Sequence, residues 1–583
     1  MKKIVIQKEE IIRHSLSHIM ASSVQELFPG TKFGIGPAIE NGFYYDFESP
    51  ITITPEALLK IEKKMREIIK QNIIFQKRKN TKKEAMELFK NQPYKLELIN
   101  ELKESDITIY ECGKFIDLCA GPHVKSAKEI SIDAFKLTKI AGAYWRGSEK
   151  NKMLTRIYGI GFGTKKELDD YIKLQEEAEK RDHRVLGKNL DLFVFSDLVG
   201  KGLPLFTEKG SIIRRILEKF IVDEESKRGY KHVYTPDIGR VELYKTSGHY
   251  PYYKESMYPV MKIDNEELIL RPMTCPHHFE LYNSKMRTYK ELPLRIAELA
   301  KQFRYEKSGE LTGLIRVRAF CLADAHIFCI KEKAEEEINN VLDLIEYVSS
   351  VLGLKTGEDY RYRLSLGNQA DNKKYYKDDK SWGFAESVLR KVLKERKANF
   401  FEAQNEAAFY GPKIDIQMKN FAGKEETAFT VQYDFVMPKR FKLSYVDKDG
   451  LKKEPIVIHR SSIGAIERVM AFLIEKYAGA LPLWLSPVQA WIIPIGSRHE
   501  DYAKDIGERF KISDLRFEIK NENETVSKKI RGGEMQKIPY LLVVGDNEIK
   551  ENSVNVRSKN KNLGMMKLEN FLEKVDSEIK EKK

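Results

Sequence analysis

Three residues far apart in the chain, Cys275, His326 and His459, are of types that bind a soft divalent metal: one thiolate and two imidazoles. Such a set holds a tetrahedral Zn²⁺ with a fourth position open, the arrangement of catalytic rather than structural zinc. Their spacing alone does not show that they meet. Arginines surround them in sequence: Arg304 precedes a Gly-containing loop, and Arg316 and Arg318 follow it. A guanidinium is planar, always charged and bidentate, so arginines flanking a loop suit a polyphosphate. A second set lies near the N-terminus. His14 and His18 stand four apart in a helical pattern, hence on one face, and Cys119 and His123 follow in I-D-L-C-A-G-P-H-V. Pro122 puts the latter pair on a turn. These four could bind zinc, or line a hydrolytic pocket in which imidazoles position water and move protons.

The elements that must carry these groups fall into stretches. A capping box, T-K-K-E from Thr164, opens a charged helix with Leu168, Tyr171 and Ile172 on one stripe. The run from Gln175 to Arg184 is almost wholly polar, so this helix reads as a connector. A central stretch alternates long helices with short runs rich in Val, Ile, Tyr and Phe, as an antiparallel sheet flanked by helices would; one helix has Ile338, Val341, Leu342, Ile345 and Val348 on a single side. The last stretch alternates strands (Trp491 to Ile495, Tyr540 to Val544, Ser553 to Val556) with helices, ending in a stripe of Leu568, Phe571, Leu572, Val575 and Ile579.

Composition narrows the function class. The 583 residues suffice for several cores. A formal charge of +14 and a pI near 9.1 favour a polyanionic partner, because basic surface releases counterions from phosphates. Five cysteines in so long a chain make no disulfide framework and fit a reducing cytosol. The N-terminus has no apolar h-region and no run approaches membrane-spanning length, so a cytoplasmic protein without a membrane anchor is expected.

The chemistry-bearing segments resemble the class II aminoacyl-tRNA synthetases. F-R-Y-E…R-V-R-A-F (Phe303 to Phe320) is similar to their motif 2, G-Y-K-H-V-Y-T-P around Pro236 to motif 1, and G-A-I-E-R (Gly464 to Arg468) to motif 3. Cys275, His326 and His459 together with A-F-Y-G-P-K-I-D (Ala408 to Asp415) narrow the resemblance to the threonyl-tRNA synthetase family, and H-S-L-S-H with C-A-G-P-H resembles that family's editing domain. The resemblance implies a multidomain α+β and α/β chain: an editing domain (1–164), a linker helix (165–183), a class II antiparallel-sheet catalytic core (184–485) and an α/β anticodon-binding domain (486–583). It implies ligation of L-threonine to threonine tRNA through an adenylate, with ATP and Mg²⁺, one core Zn²⁺ per subunit and, through motif 1, a homodimer. This chain begins almost at H-S-L-S-H, so the ubiquitin-like domain that precedes it in many bacterial members is expected to be absent.

Residue by residue, the resemblance assigns the α-phosphate and the threonine carboxylate to Arg304. It gives the outer phosphates to Arg316 and Arg468, the adenine faces to Arg468 and Phe320, and the adenine edge to Glu306. Asp324, Tyr410 and Gln432 match threonine-contacting positions. His14, His18, Cys119 and His123 match the editing pocket, with Tyr45, Lys95 and Asp117 in support; whether metal enters there stays open. Asn523, Arg531, Glu548 and Arg557 match anticodon contacts. A zinc ion that chelates an amine and a β-hydroxyl rejects valine, which lacks the hydroxyl. Serine keeps both groups and lacks one methyl, a difference of about 1–3 kcal/mol, so a second, hydrolytic site is required. One departure stands out: F-C-L-A-D-A-H (Phe320 to His326) replaces the usual F-T-Q-D-D-A-H, so Leu322 and Ala323 stand where a glutamine and an acid are usual. Two other readings are a seryl- or prolyl-type ligase, which shares the core but not this zinc set, and a non-catalytic RNA-binding regulator, which would not need the arginines and metal ligands intact.

Overall fold

The structure, a computed structural model, describes residues 2–103, 107–371, 373–421 and 423–583, with side chains from Lys8 onward. The chain divides into two compact units, Met1–Glu176 and Glu177–Lys583.

The first unit opens with helix α1 (Lys2–Leu27), whose buried side chains include Leu16, Ile19, Met20 and Val24. They pack on an antiparallel sheet containing β1 (Gly42–Glu48), and on the amphipathic helix α2 (Pro55–Lys70), which buries Ile61, Met65, Ile68 and Ile69. A three-stranded antiparallel sheet follows: β2 (Phe75–Lys79), β3 (Thr108–Cys112) and β4 (Phe115–Leu118). Helix α3 (Pro93–Glu101) lies between β2 and β3 in the chain, and β5 (Phe135–Tyr144) and β6 (Met153–Gly161) complete the first sheet in the order β1-β6-β5. Helix α4 (Lys165–Arg181) carries the expected capping box, with Thr164 and Glu167 exchanging backbone-to-side-chain hydrogen bonds at 2.8 and 3.3 Å. The unit boundary at Glu176 falls inside this helix.

In the second unit α5 (His183–Asn189) follows at once, capped by Asp182, which accepts from Arg184 N. The polar run ending at Arg184 gave no sign that His183 would be buried, yet it is 2% exposed. An eight-stranded sheet forms the centre. Its strands are β7 (Lys231–His232), β8 (Leu294–Phe303), β9 (Ala319–Cys329), β10 (Tyr360–Leu366), β11 (Phe400–Gln404), β12 (Lys413–Lys419), β13 (Glu425–Asp434) and β14 (Ile456–Ala465), in the spatial order β7-β8-β9-β14-β13-β12-β10-β11. The inner pairs are antiparallel; only the two edge strands run parallel to their neighbours. Helices α6 (Ala334–Val351) and α7 (Ile466–Lys476) cover one face with Ile338, Val341, Leu342, Ile345, Val469 and Leu473, all essentially inaccessible. That face is apolar, which leaves the other to carry polar side chains.

Two features of the sheet matter for the site. Residues 320, 322, 324 and 326 of β9 alternate onto one face. In addition β14 is bulged: Asp324 pairs with Ser461 but Leu322 pairs with Ala465. Ser461 Oγ donates to Ala323 O (2.9 Å) and accepts from Gly464 N (3.1 Å). Gly464 has φ +76, and a Cβ there would lie 2.4 Å from Ala428 O, so only glycine fits. The C-terminal stretch forms a five-stranded mixed sheet with Trp491, Leu541 and Val556 among its buried residues, and ends in the helix Leu568–Lys580, which buries Leu568, Phe571 and Val575.

Candidate functional site

The antiparallel pairing explains how residues distant in sequence share a point. His326 of β9 lies directly opposite His459 of β14, which lies directly opposite Gln432 of β13. One rung thus sets three chemistry-bearing side chains abreast. Cys275 arrives from outside the sheet, as the first residue of a helix, Cys275–Asn283. Single ligand atoms of Cys275, His326 and His459 lie within 4.8 Å of one another, all three residues being buried.

Hydrogen bonds behind the imidazoles fix which nitrogen faces the thiol. His459 Nε2 lies 2.7 Å from Asp434 Oδ2, so it carries hydrogen and leaves Nδ1 bare. His278 Nε2 contacts Glu298 Oε2 at 3.2 Å, and His278 Nδ1 contacts His326 Nδ1 at 2.8 Å. The carboxylate takes the first hydrogen, so His278 accepts from His326 and leaves His326 Nε2 bare. Carboxylate-to-histidine relays of this kind orient metal-ligating imidazoles. Burial works against ionising Glu298. Even so, hydrogen bonds from His278 and Thr235 and the charge of Arg271 hold its carboxyl down to about 2. Burial, then the neighbouring His459 and His278, push His326 well below the ordinary histidine range, so it stays neutral. Burial likewise pushes the Cys275 thiol well up, an effect that a bound cation reverses by favouring the thiolate.

A cavity of about 740 Å³ opens over this triad, and its lining includes Arg304, Glu306, Arg316, Leu322, Asp324, Tyr410 and Gln432. A second compartment of about 300 Å³ shares Arg304, Glu306, Arg316 and Leu322 and adds Phe320 and Arg468. The resemblance-assigned residues of the core are therefore brought into one cleft. Tyr410 stacks on His459 with centroids 4.8 Å apart and donates to Gln432 Oε1 at 2.5 Å. Arg304 lies over the Phe320 ring and donates to Gln302 Oε1 at 3.2 Å, and Gln302 in turn donates to Asp324 at 3.4 Å. Desolvation pushes the Asp324 carboxyl up. Arg318 is directed elsewhere, donating to Glu306 O and stacking on Tyr305. Leu322 lines both compartments. The sequence reading missed His278, Glu298 and Asp434, and also His249, whose Nε2 lies 4.0 Å from Cys275 Sγ. The His-His doublet in T-C-P-H-H was the available signal for His278.

In the first unit α1 presents His14 and His18, and the loop after β4 brings Cys119 and His123 to them; one ligand atom from each lies within 4.8 Å of the others. Cys119 Sγ is 3.4 Å from both His14 Nε2 and His123 Nε2. Here too the second nitrogens are committed. His14 Nδ1 donates to Pro122 O (3.1 Å). Ser15 Oγ donates to Ile11 O, so His123 Nδ1 donates to Ser15 Oγ (3.2 Å). His18 Nε2 faces Asp117 Oδ2 at 3.5 Å, and its buried Nδ1 has no partner. Asp117 also pairs with Lys95 and accepts from Tyr45 at 2.6 Å, while Lys95 donates to Tyr45 at 3.0 Å. Burial pushes the Cys119 thiol up to about 11 and keeps all three imidazoles below the ordinary range. Three neutral imidazoles beside a protonated thiol can exchange protons with water, and their bare nitrogens would also accept a cation.

The C-terminal residues are more dispersed. Asn523 is exposed in a loop and Arg531 exposed on a helix, Val526–Met535. Arg557, on the strand Ser553–Ser558, is partly covered and 3.9 Å from Glu534. Glu548 is buried, and its carboxylate accepts from Gly545 N at 3.0 Å, capping the short helix Asp546–Lys550.

Comparison with known proteins agrees with this geometry. Residues 258–477 match the tRNA synthetase class II core domain (G, H, P, S and T), 489–578 an anticodon binding domain, and 107–158 the threonyl and alanyl tRNA synthetase second additional domain. The chain is 48% identical over 576 residues to the threonine–tRNA ligase of Anoxybacillus flavithermus, covering 98% of this chain and 89% of that protein. It is 49% identical over 579 residues to that of Geobacillus kaustophilus, covering 98% and 88%. Among solved structures, the RNA binding domain of threonyl-tRNA synthetase from Cryptosporidium parvum superposes with a TM-score of 0.64 at 34% identity, over 68% of this chain and 98% of that one. At this identity over nearly its whole length, this chain belongs to the threonine–tRNA ligase family of class II aminoacyl-tRNA synthetases.

Proposed function

We propose that the family's reaction runs on the residues gathered in the cleft. The threonine carboxylate attacks the α-phosphorus of ATP in line, pyrophosphate leaves, and the adenylate passes its threonyl group to tRNA. Such a displacement needs placement and charge neutralisation above all. Arg304 holds the α-phosphate and the attacking carboxylate. Arg316 and Arg468 hold the outer phosphates with Mg²⁺, and the adenine lies between Arg468 and Phe320 with Glu306 at its edge. Asp324, Tyr410 and Gln432 orient the threonine amine and hydroxyl. The observation that carries this reading is the rung His326–His459–Gln432, which opens with Cys275 into the same cleft as the arginines.

Zinc fits the triad: a thiol and two imidazole nitrogens converge, and the other nitrogen of each ring is committed to His278 or Asp434. When bound, the ion supplies a Lewis acid that a neighbouring amine and hydroxyl can share. Leu322 leaves the substrate with an apolar neighbour where the family usually offers an amide.

In the first unit, His14, His18 and His123 take and return the proton of a water that cleaves mischarged seryl-tRNA, with Cys119 beside them; Asp117, Lys95 and Tyr45 fix the ring of His18. We assign editing to residues 1–164, linkage to 165–183, activation to 184–485 and anticodon reading to 486–583. There Asn523, Arg531 and Arg557 face unpaired bases and Glu548 holds the helix start beside them. No helix among the described residues is long and apolar enough to cross a membrane. We read the enzyme as cytoplasmic and as a homodimer; the dimer is supported by exposed apolar side chains at Val194, Phe195, Leu198, Val199, Tyr234 and Ile238. Exchange of pyrophosphate into ATP tests the core: threonine should stimulate it strongly, serine weakly, valine and proline not at all. Equal stimulation by valine would sink the metal-based selectivity.

A further inference from the structure

Asp182, His183 and Glu475 form a third cluster whose ligand atoms lie within 4.8 Å of one another. It is not available to a metal, because both ring nitrogens of His183 are already engaged. Nδ1 lies 2.7 Å from Glu475 Oε1, and Nε2 accepts from the backbone Leu314 N–H at 3.0 Å. The backbone hydrogen fixes the tautomer: Nε2 must be bare, so Nδ1 donates to the carboxylate. The ring is 2% exposed and Leu314 fully buried. Gly313, at φ +50, makes the approach possible; a Cβ there would stand 2.1 Å from His183 Nε2.

The turn that His183 grips is the one that carries Arg316. Thr312 and Arg316 face each other across it, with Thr312 N donating to Arg316 O at 3.2 Å and Ile315 N to Thr312 O at 2.9 Å. Its next backbone group is gripped as well: Ile315 O accepts from Arg468 Nε at 2.9 Å. Arg468 and Glu475 stand on the same helix, α7. One rigid helix thus reaches the turn twice, directly through Arg468 and by way of His183.

We infer that His183 is a positioning residue for ATP: it holds the Thr312–Arg316 turn so that Arg316 meets the outer phosphates. A free N–H at Leu314 would be buried without a partner, and the turn would shift to satisfy it. The inference rests on the assignment of Arg316 to ATP, and the test separates the two. His183→Asn keeps a donor near Nδ1 and loses the acceptor at Nε2; His183→Gln does the reverse. In threonine-dependent ATP–pyrophosphate exchange, His183→Asn should raise the KM for ATP about tenfold. The KM for threonine should stay within twofold, and His183→Gln, which loses only the link to Glu475, should raise the KM for ATP no more than about threefold. Amide exchange in the segment 308–318 should quicken in His183→Asn at unchanged thermal midpoint. Glu475→Ala, a milder change that frees the ring without removing it, should raise the KM for ATP about threefold. Equal effects of Asn and Gln, or a threonine KM that rises with that of ATP, would overturn the inference. Should His183→Asn fail to fold, Glu475→Ala with unaltered ATP KM and unaltered exchange would do the same. An Arg316→Ala enzyme with normal ATP KM would instead remove the phosphate assignment, while the amide-exchange result would still judge the grip on the turn.

Discussion

The two histidine–cysteine clusters are built from the same side chains by different means. In the sheet, two imidazoles come from neighbouring strands at one register position, and a helix start supplies the thiol. In the first unit, two imidazoles come from successive turns of one helix, and a loop supplies the third together with the thiol. The sheet cluster is backed by two carboxylates, Glu298 through His278 and Asp434 directly. The helix cluster is backed by a carbonyl, a hydroxyl and one carboxylate that already answers to Lys95 and Tyr45. Charged acceptors behind a ring raise its basicity toward a cation more than neutral ones do. On the proposed roles, ligand type alone does not divide metal binding from proton transfer; what differs between the clusters is the groups behind the rings.

Breaking one cluster should leave the other working. Metal analysis of the intact enzyme should find one zinc per chain, and Cys275→Ser should lose it and lower threonine-dependent exchange by about a thousandfold or more. Its hydrolysis of seryl-tRNA should stay within twofold. His123→Ala should do the converse, cutting hydrolysis about a hundredfold or more with exchange unchanged. If either substitution disabled both activities, the separation drawn here would fail. His278→Ala probes the groups behind the rings: zinc affinity should drop about tenfold to a hundredfold, measured by chelator competition. The corresponding loss of Ser15→Ala in the first unit should appear in the hydrolysis rate alone.

How far the sequence carries this contrast differs by residue. Cys275, His326 and His459 were legible from their types and motif company, and the paired strands explain why their separation in the chain is no obstacle. His14 and His18 were legible from helical spacing. Helix 334–351 and strand Tyr540–Val544 were legible because their apolar periods are strong. Glu298, Asp434 and His183 were not. Each acts through a hydrogen bond to a partner a score or more of residues away, and neither periodicity nor composition records such a bond. His183 was further disguised by lying at the end of a polar run, where exposure is the ordinary expectation.

The smallest effect concerns acid. Burial holds His14, His18 and His123 below their ordinary pKa of 6.5, so the folded pocket keeps them neutral as the pH falls. The unfolded chain binds protons at those rings below 6.5, more than the folded chain does, and stability must therefore fall with pH from that point. Above 6.5 neither state takes up these protons and the three rings contribute no slope. The thermal midpoint of the first unit should drop by roughly 5 °C between pH 7 and pH 5, less in His14→Gln. A midpoint independent of pH over that range would mean the rings are charged, or held by a cation, in the folded state.

The bulge in β14 limits how this enzyme can be altered. The short stretch from His459 to Arg468 runs from the Cys275–His326–His459 cluster to the compartment lined by Phe320 and Arg468, and Gly464 is the hinge about which it changes direction. Lengthening or shortening it by a single residue would turn one end out of the cleft while the other stayed in place. On the proposed assignment this segment acts as a ruler between two reactants, and its length is part of the catalyst.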